Sequence, residues 1–173
     1  RVADAIYWQV LEKIQDVIQT VTFSPQGTDP TAALDTTRAV VIRKYRTPRP
    51  ENQPLADEIK PGFIITPGPV TPATGTNERD GKEYNVLVQL IAKDYDGRIT
   101  NFRTYLKWLE QADKVLSHYF ASNCDICGTS GCVHDSFVGT VFVVDEKKYA
   151  AHQNFVGGVE VIITAELTRG VEA

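Results

Sequence analysis

The stretch YNVLVQLIAKDYDGRITNFRTYLKWLEQADKVLSHYF, residues 84–120, changes period in its middle. Over YNVLVQLIAKD (84–94), Val86, Val88 and Leu90 alternate with Asn85, Leu87 and Gln89. Alternation puts one set on each side of an extended chain, so this half predicts a strand. From Asp96 onward, Ile99, Phe102, Leu106, Leu109, Val115, Leu116 and Tyr119 recur in helical register. That spacing gathers them on one stripe and predicts a long amphipathic helix capped by Thr100 or Asp96. A strand that runs straight into a long one-sided helix is the unit of a sheet covered by helices.

Working outward, ADAIYWQVLEKIQDVIQTV (3–21) places Ile6, Val10, Leu11, Ile14, Val17, Ile18 and Val21 on one stripe, opposite Glu12, Lys13, Gln15 and Asp16. It predicts a second amphipathic helix, broken after by Pro25, Gly27 and Pro30. RAVVIRKYR (38–46) is β-branched and too short for a stable helix, so it reads as a strand. Seven of the nine prolines then fall between Pro48 and Pro72. Proline lacks a donor, which excludes the segment from central sheet. Residues 47–81 accordingly read as an extended proline-rich arm or loop with one short strand, GFIIT (62–66). SFVGTVFVVDEKKY (136–149) and NFVGGVEVIITAELTRG (154–170) close the chain as two long strands. The sum is a single α+β domain over residues 1–173, with a mostly antiparallel sheet, two amphipathic helices on one face, the arm at 47–81 and a cysteine-rich loop at 121–135.

Composition narrows function mainly by exclusion. A 173-residue chain is long enough for a real core, and its 23% charged and 42% hydrophobic residues are ordinary for a globular protein. Its net charge of −4 is wrong for a protein whose task is gripping nucleic acid. No apolar run approaches the roughly 18–20 residues of a membrane span, and no basic-then-apolar leader opens the numbered chain. The chain opens on Arg1 rather than Met, so residues ahead of this numbering are expected. There is no Gly-rich phosphate loop, no G-x-S-x-G elbow and no H-E-x-x-H. His118 near a helix end and His152 in the turn YAAHQN read as solvated surface groups. The chain therefore reads as a non-enzyme, with no catalytic and no cofactor-binding residues.

All three cysteines lie in CDICGTSGCVH (124–134). Cys124, Cys127, Cys132 and His134 give C-x2-C-x4-C-x-H, whose first pair can meet one tetrahedral zinc from a tight turn. The spacing is shorter than that of zinc fingers and differs in order from zinc knuckles. A plain loop with free thiols, or with one Cys124–Cys127 or Cys127–Cys132 bridge, is the competing reading, and both stand. A zinc there would be structural, because four protein ligands leave no open position. Otherwise no cofactor is required. The odd cysteine count precludes a complete disulfide framework and points to a reducing compartment. Arg38, Arg43, Lys44, Arg46 and Arg49 make the strand around 38–49 basic. That pattern suits the exposed face of an edge strand better than a nucleic-acid site.

Taken in order, the N-terminal helix, VVIRKY, KPGFIITPGP, YNVLVQLIAKDYDG running into a long helix, and the closing strand FVGGVEVIITAELTR resemble the tail terminator and tail-completion family of long-tailed bacteriophages. The resemblance covers roughly residues 3–120 and 136–170; the proline arm and the cysteine loop have no counterpart in it. It implies a small α+β subunit of a neck ring, most simply a hexamer, at the head-proximal end of the tail. Such a ring stops the tail tube, contacts the tube protein and the head-side connector proteins, and lets genome DNA pass its lumen without specific binding. It also implies a virion protein assembled in the host cytoplasm. A neighbouring head-completion or stopper ring is the close alternative. A zinc-binding enzyme or regulatory module is the alternative from another class.

Overall fold

The computed structural model describes residues 5–27, 32–43, 61–73, 79–93, 99–123, 132–143 and 154–168. Helix α1 spans Ile6–Gln19 and buries Ile6, Val10, Leu11, Ile14, Val17 and Ile18 of the predicted stripe, whereas Val21, its last predicted position, lies beyond the helix and is only partly buried. After Leu34, Asp35 accepts hydrogen bonds from the Thr37 backbone N–H and hydroxyl, at 3.2 and 2.6 Å, and so starts the single turn α2, Thr36–Ala39. Strand β1 follows directly as Val40–Ile42. The expected strand at 38–46 is thus shorter: Arg38 and Ala39 are helical, and residues 44–46 lie outside the described residues.

Strands β2 (Gly62–Ala73), β3 (Arg79–Lys93), β4 (Cys132–Val143) and β5 (Asn154–Thr168) complete a five-stranded sheet in the order β1-β2-β3-β5-β4. Every neighbouring pair is antiparallel except β1 and β2, which run parallel. The fold is α+β with a mostly antiparallel sheet. A parallel pair cannot be joined by a tight turn.

The strand inside that segment is longer than GFIIT. Strand β2 continues through Pro67, Pro69 and Pro72 and pairs with β3 as far as Ala73 opposite Gly81. Proline is tolerated there because β1 reaches only as far as Ile65. Beyond that point β2 has no neighbour on this side among the described residues, and a missing donor is tolerated at such an edge. One extra residue is accommodated between Pro67 and Val70, opposite Val86 and Tyr84, as a bulge. Of the expected arm, residues 47–60 and 74–78 lie outside the described residues.

Helix α3, Ile99–Ser122, lies beside α1 on one face of the sheet. Its buried stripe is Thr104, Tyr105, Trp108, Leu109, Ala112, Leu116 and Phe120. The predicted stripe is therefore rotated: Leu109 and Leu116 are central, but Phe102, Leu106, Val115 and Tyr119 are only partly buried. Thr100 sits inside the helix rather than capping it. Trp108 is fully buried, stands 6.1 Å from the Phe23 ring and 5.8 Å from Tyr105, and donates its Nε1–H to the Ser24 carbonyl at 2.9 Å. Phe23 in turn meets Phe63 at 5.0 Å, and Tyr105 meets Phe155 at 5.1 Å. These rings tie α3 and the segment after α1 to β2 and β5. Beneath the helices lie Val86, Val88, Leu90 and Ala92 of β3 with Val159, Val161, Ile163 and Ala165 of β5.

Candidate functional site

The strand β5 has two faces of different character. Val159, Val161 and Ile163 face the helices and are fully buried, whereas Glu160 on the opposite face is exposed. Beside it, β4 sits at the margin of the sheet and pairs only with β5 among the described residues. Three of the five exposed large hydrophobic residues among the described residues belong to β4: Val138, Val141 and Val143, at 52, 38 and 44% exposure. Register places Val138 opposite Ile162 on the face away from the helices, and Val141 opposite Val159 on the helix side. Valines thus project from both faces of one margin strand. The octapeptide SFVGTVFV (136–143) carries no charge, lysine or proline.

The opposite margin is built differently. There β1 has three residues, flanked by the exposed Arg38 and Arg43, and the rest of the edge is the proline-bearing half of β2. The Arg43 backbone N–H still donates to the Ile65 carbonyl at 2.9 Å, so the basic residue closes the parallel pair. The basic segment is thus at an edge, as its pattern predicts; Lys44, Arg46 and Arg49 lie outside the described residues.

Helix α3 touches β4 at one unusual point. Asp113 Oδ1 is buried, has no hydrogen-bond partner among the described residues, and occupies the space that a Cβ on Gly139 would need. Burial pushes the Asp113 carboxyl above the ordinary aspartate value. On the far side of the helix pair, a cleft of about 420 Å³ opens between α1 and α3. Val17 and Val115 supply apolar walls, Lys13, Asp16 and His118 supply charge and hydrogen-bonding groups, and the Lys13 Nζ lies 5.9 Å from the centre of the Tyr119 ring. The cleft could take an apolar side chain with a polar end. His118 is accordingly exposed, as expected.

Of the four residues of the cysteine segment, Cys132 and His134 fall two positions apart at the start of β4, opposite Leu167 and Ala165. Cys124 and Cys127 lie outside the described residues, as does His152. Within the expected 121–135 loop, Ala121 and Ser122 end α3 and Cys132 begins β4. Among the described residues no three His, Cys, Asp or Glu side chains come together as a metal site, and no helix is long and apolar enough to cross a membrane. Sequence reasoning missed the margin valines and Asp113. The signal for the first was present, in an uncharged β-branched octapeptide. No known family model matches the chain, and no curated protein does.

Proposed function

We propose that the chain is a structural subunit of a tailed bacteriophage, forming a ring at the head-proximal end of the tail that terminates the tube and joins it to the neck. The observation that carries this reading is the order of elements. An N-terminal helix lies on the sheet, β3 leads into the long helix α3, and β4 and β5 close the sheet beside it. That order agrees with the family the sequence resembles. An uncharged, valine-bearing sheet margin supports a protein whose work is contact with other chains. In this reading the partners are further copies of the chain, the tube protein and the head-side connector proteins, and no residue is catalytic.

Negative-stain imaging with and without tail tubes tests it. Closed rings that cap tube ends support the reading; particles without rotational symmetry that ignore tubes overturn it. A duplex-DNA titration adds a second test. A lumen that passes a polyanion must not hold it, so binding no tighter than about 10⁻⁴ M at physiological salt is expected. Sub-micromolar binding would reassign Arg38 and Arg43 from edge protection to DNA contact.

The cysteine segment enters the proposal as a connection between α3 and β4 that is either a plain loop or, with zinc on Cys124, Cys127, Cys132 and His134, a structural staple. Cys132 and His134 are the first and third residues of β4, the strand that follows this connection. Stoichiometric zinc in purified protein, lost with Cys127→Ser together with thermal stability, is the expected result. Protein without zinc, whose Cys127→Ser variant melts normally, leaves only a loop.

A further inference from the structure

An unpaired strand margin exposes backbone donors and acceptors to any other strand, and folded proteins commonly blunt it with short strands, proline, lysine or bulges. The two margins of this sheet differ on that count. The β1–β2 margin is blunted three times over: a three-residue strand, Arg38 and Arg43 beside it, and Pro67, Pro69 and Pro72 in the remainder. The β4 margin has a register shift only near its start, between His134 and Ser136. From Ser136 to Val143 its pairing with β5 is regular, and its side chains are uncharged. Valines on both faces add to this: a strand laid alongside would place side chains next to Val138 on one face and next to Val141 and Val143 on the other.

We propose that the outer margin of β4, which no other strand among the described residues covers, is an interaction surface whose occupant is β4 of a second copy of this chain. The choice of occupant follows from the contrast between margins. Pairing β4 with the opposite margin of another copy would meet missing proline donors and arginines, whereas self-pairing joins the two unblunted strands. A two-fold axis perpendicular to the sheet sets β4 against its own copy in antiparallel register. The five-stranded sheets then merge into one of ten strands. Neither copy brings a charge between Ser136 and Val143, so the two strands do not repel. Eight paired residues and their flanking valines make a small contact, below the roughly 1,200 Å² of stable complexes, and the dimer is expected to be concentration-dependent. The proposal does not rest on the ring reading; a ring would close through other surfaces.

The test is sedimentation velocity over a concentration series with the full chain, combined with amide hydrogen exchange. The mass is expected to rise from that of one 19.2 kDa chain toward that of two. Amides of residues 136–143 should slow with concentration while those of β2 do not. The double variant Val138→Lys/Val141→Lys changes only exposed positions. It should keep the circular dichroism spectrum and weaken dimerisation by about tenfold or more, equivalent to about 1.4 kcal/mol. Thr140→Lys is a second, milder variant for use if the double variant does not fold. Val70→Lys, on the opposite margin, should leave the dimer intact. A monomer at every concentration overturns the proposal, and so does a dimer that survives the β4 lysines or is lost equally with Val70→Lys. Rings that form while the amides of residues 136–143 gain no protection with concentration would overturn the pairing and leave the ring reading standing. A β4-dependent dimer that ignores tail tubes would do the reverse.

Discussion

The Tyr7 hydroxyl lies 2.6 Å from the Asn85 carbonyl, linking the start of α1 to the middle of β3 across 78 residues of sequence. The same hydroxyl is 2.6 Å from the Gly68 carbonyl, so its one proton is shared between the two sides of the β2–β3 bulge. Asn85 completes the arrangement by donating its Nδ2 to the Pro69 carbonyl at 2.9 Å, and the Tyr7 ring packs 5.2 Å from Tyr84. Tyr7→Phe keeps the ring and removes the donor, leaving two partly buried carbonyls without it. A loss of about 1–2 kcal/mol is expected in denaturant unfolding. An unchanged midpoint would mean that water replaces the hydroxyl at no cost.

The two tryptophans report different environments. Trp8 is 43% exposed on α1, whereas Trp108 is fully buried among Phe23, Tyr105 and the Ser24 carbonyl. Trp8→Phe should leave blue-shifted emission and near-wild-type stability. Trp108→Phe should leave red-shifted emission from Trp8 and cost about 2 kcal/mol or more, because it removes both volume and a hydrogen bond. Emission maxima and melting curves of the pair check this directly.

Gly158 of β5 is fixed by close approach. A Cβ there would run into the Val88 carbonyl oxygen and come within 2.9 Å of the Phe142 ring. The carbonyl belongs to a paired strand and cannot swing aside as a side chain would. Gly158→Ala should therefore destabilise by about 1–3 kcal/mol, although alanine favours neither sheet nor solvent strongly here. Phe142→Ala in the same background relieves only the ring contact, so little of the loss should return.

What the sequence made legible was what local periodicity controls. The α1 stripe could be named position by position, because a 3.6-residue repeat with no competing apolar face has one solution. Helix α3 has two overlapping stripes, and the choice between them was made by distant partners. Phe23 and Phe155 receive Trp108 and Tyr105, and the small Ala112 continues their stripe without announcing it. Prolines 67, 69 and 72 argued against a strand locally; the short reach of β1, a non-local fact, made them acceptable. The same holds for the candidate interface. SFVGTVFV is visible as a strand in the sequence, but its place at the margin depends on β5 inserting beside β3, which no single segment encodes.

Asp113 makes the last prediction, and its sign runs against the common behaviour of carboxylates. Its Oδ1 is buried against Gly139 with no hydrogen-bond partner among the described residues, and burial holds the carboxyl above the ordinary aspartate value. In the folded chain the proton therefore binds more tightly than in the unfolded chain. Stability from this group is fully present below the unfolded value, is lost as pH rises from that value through the folded one, and is absent at neutral pH. There the charge is a standing cost. Asp113→Asn keeps the shape against Gly139 and removes the charge. The residue as a whole is only partly buried, so the gain at neutral pH is expected to be modest, about 0.5 kcal/mol. The informative quantity is the difference between variant and wild type, because the other carboxylates cancel in it. That difference should be greatest near neutrality and shrink as pH falls through the acid range. Equal melting temperatures at neutral pH, or a variant less stable there than wild type, would show that Asp113 holds a partner the fold does not reveal.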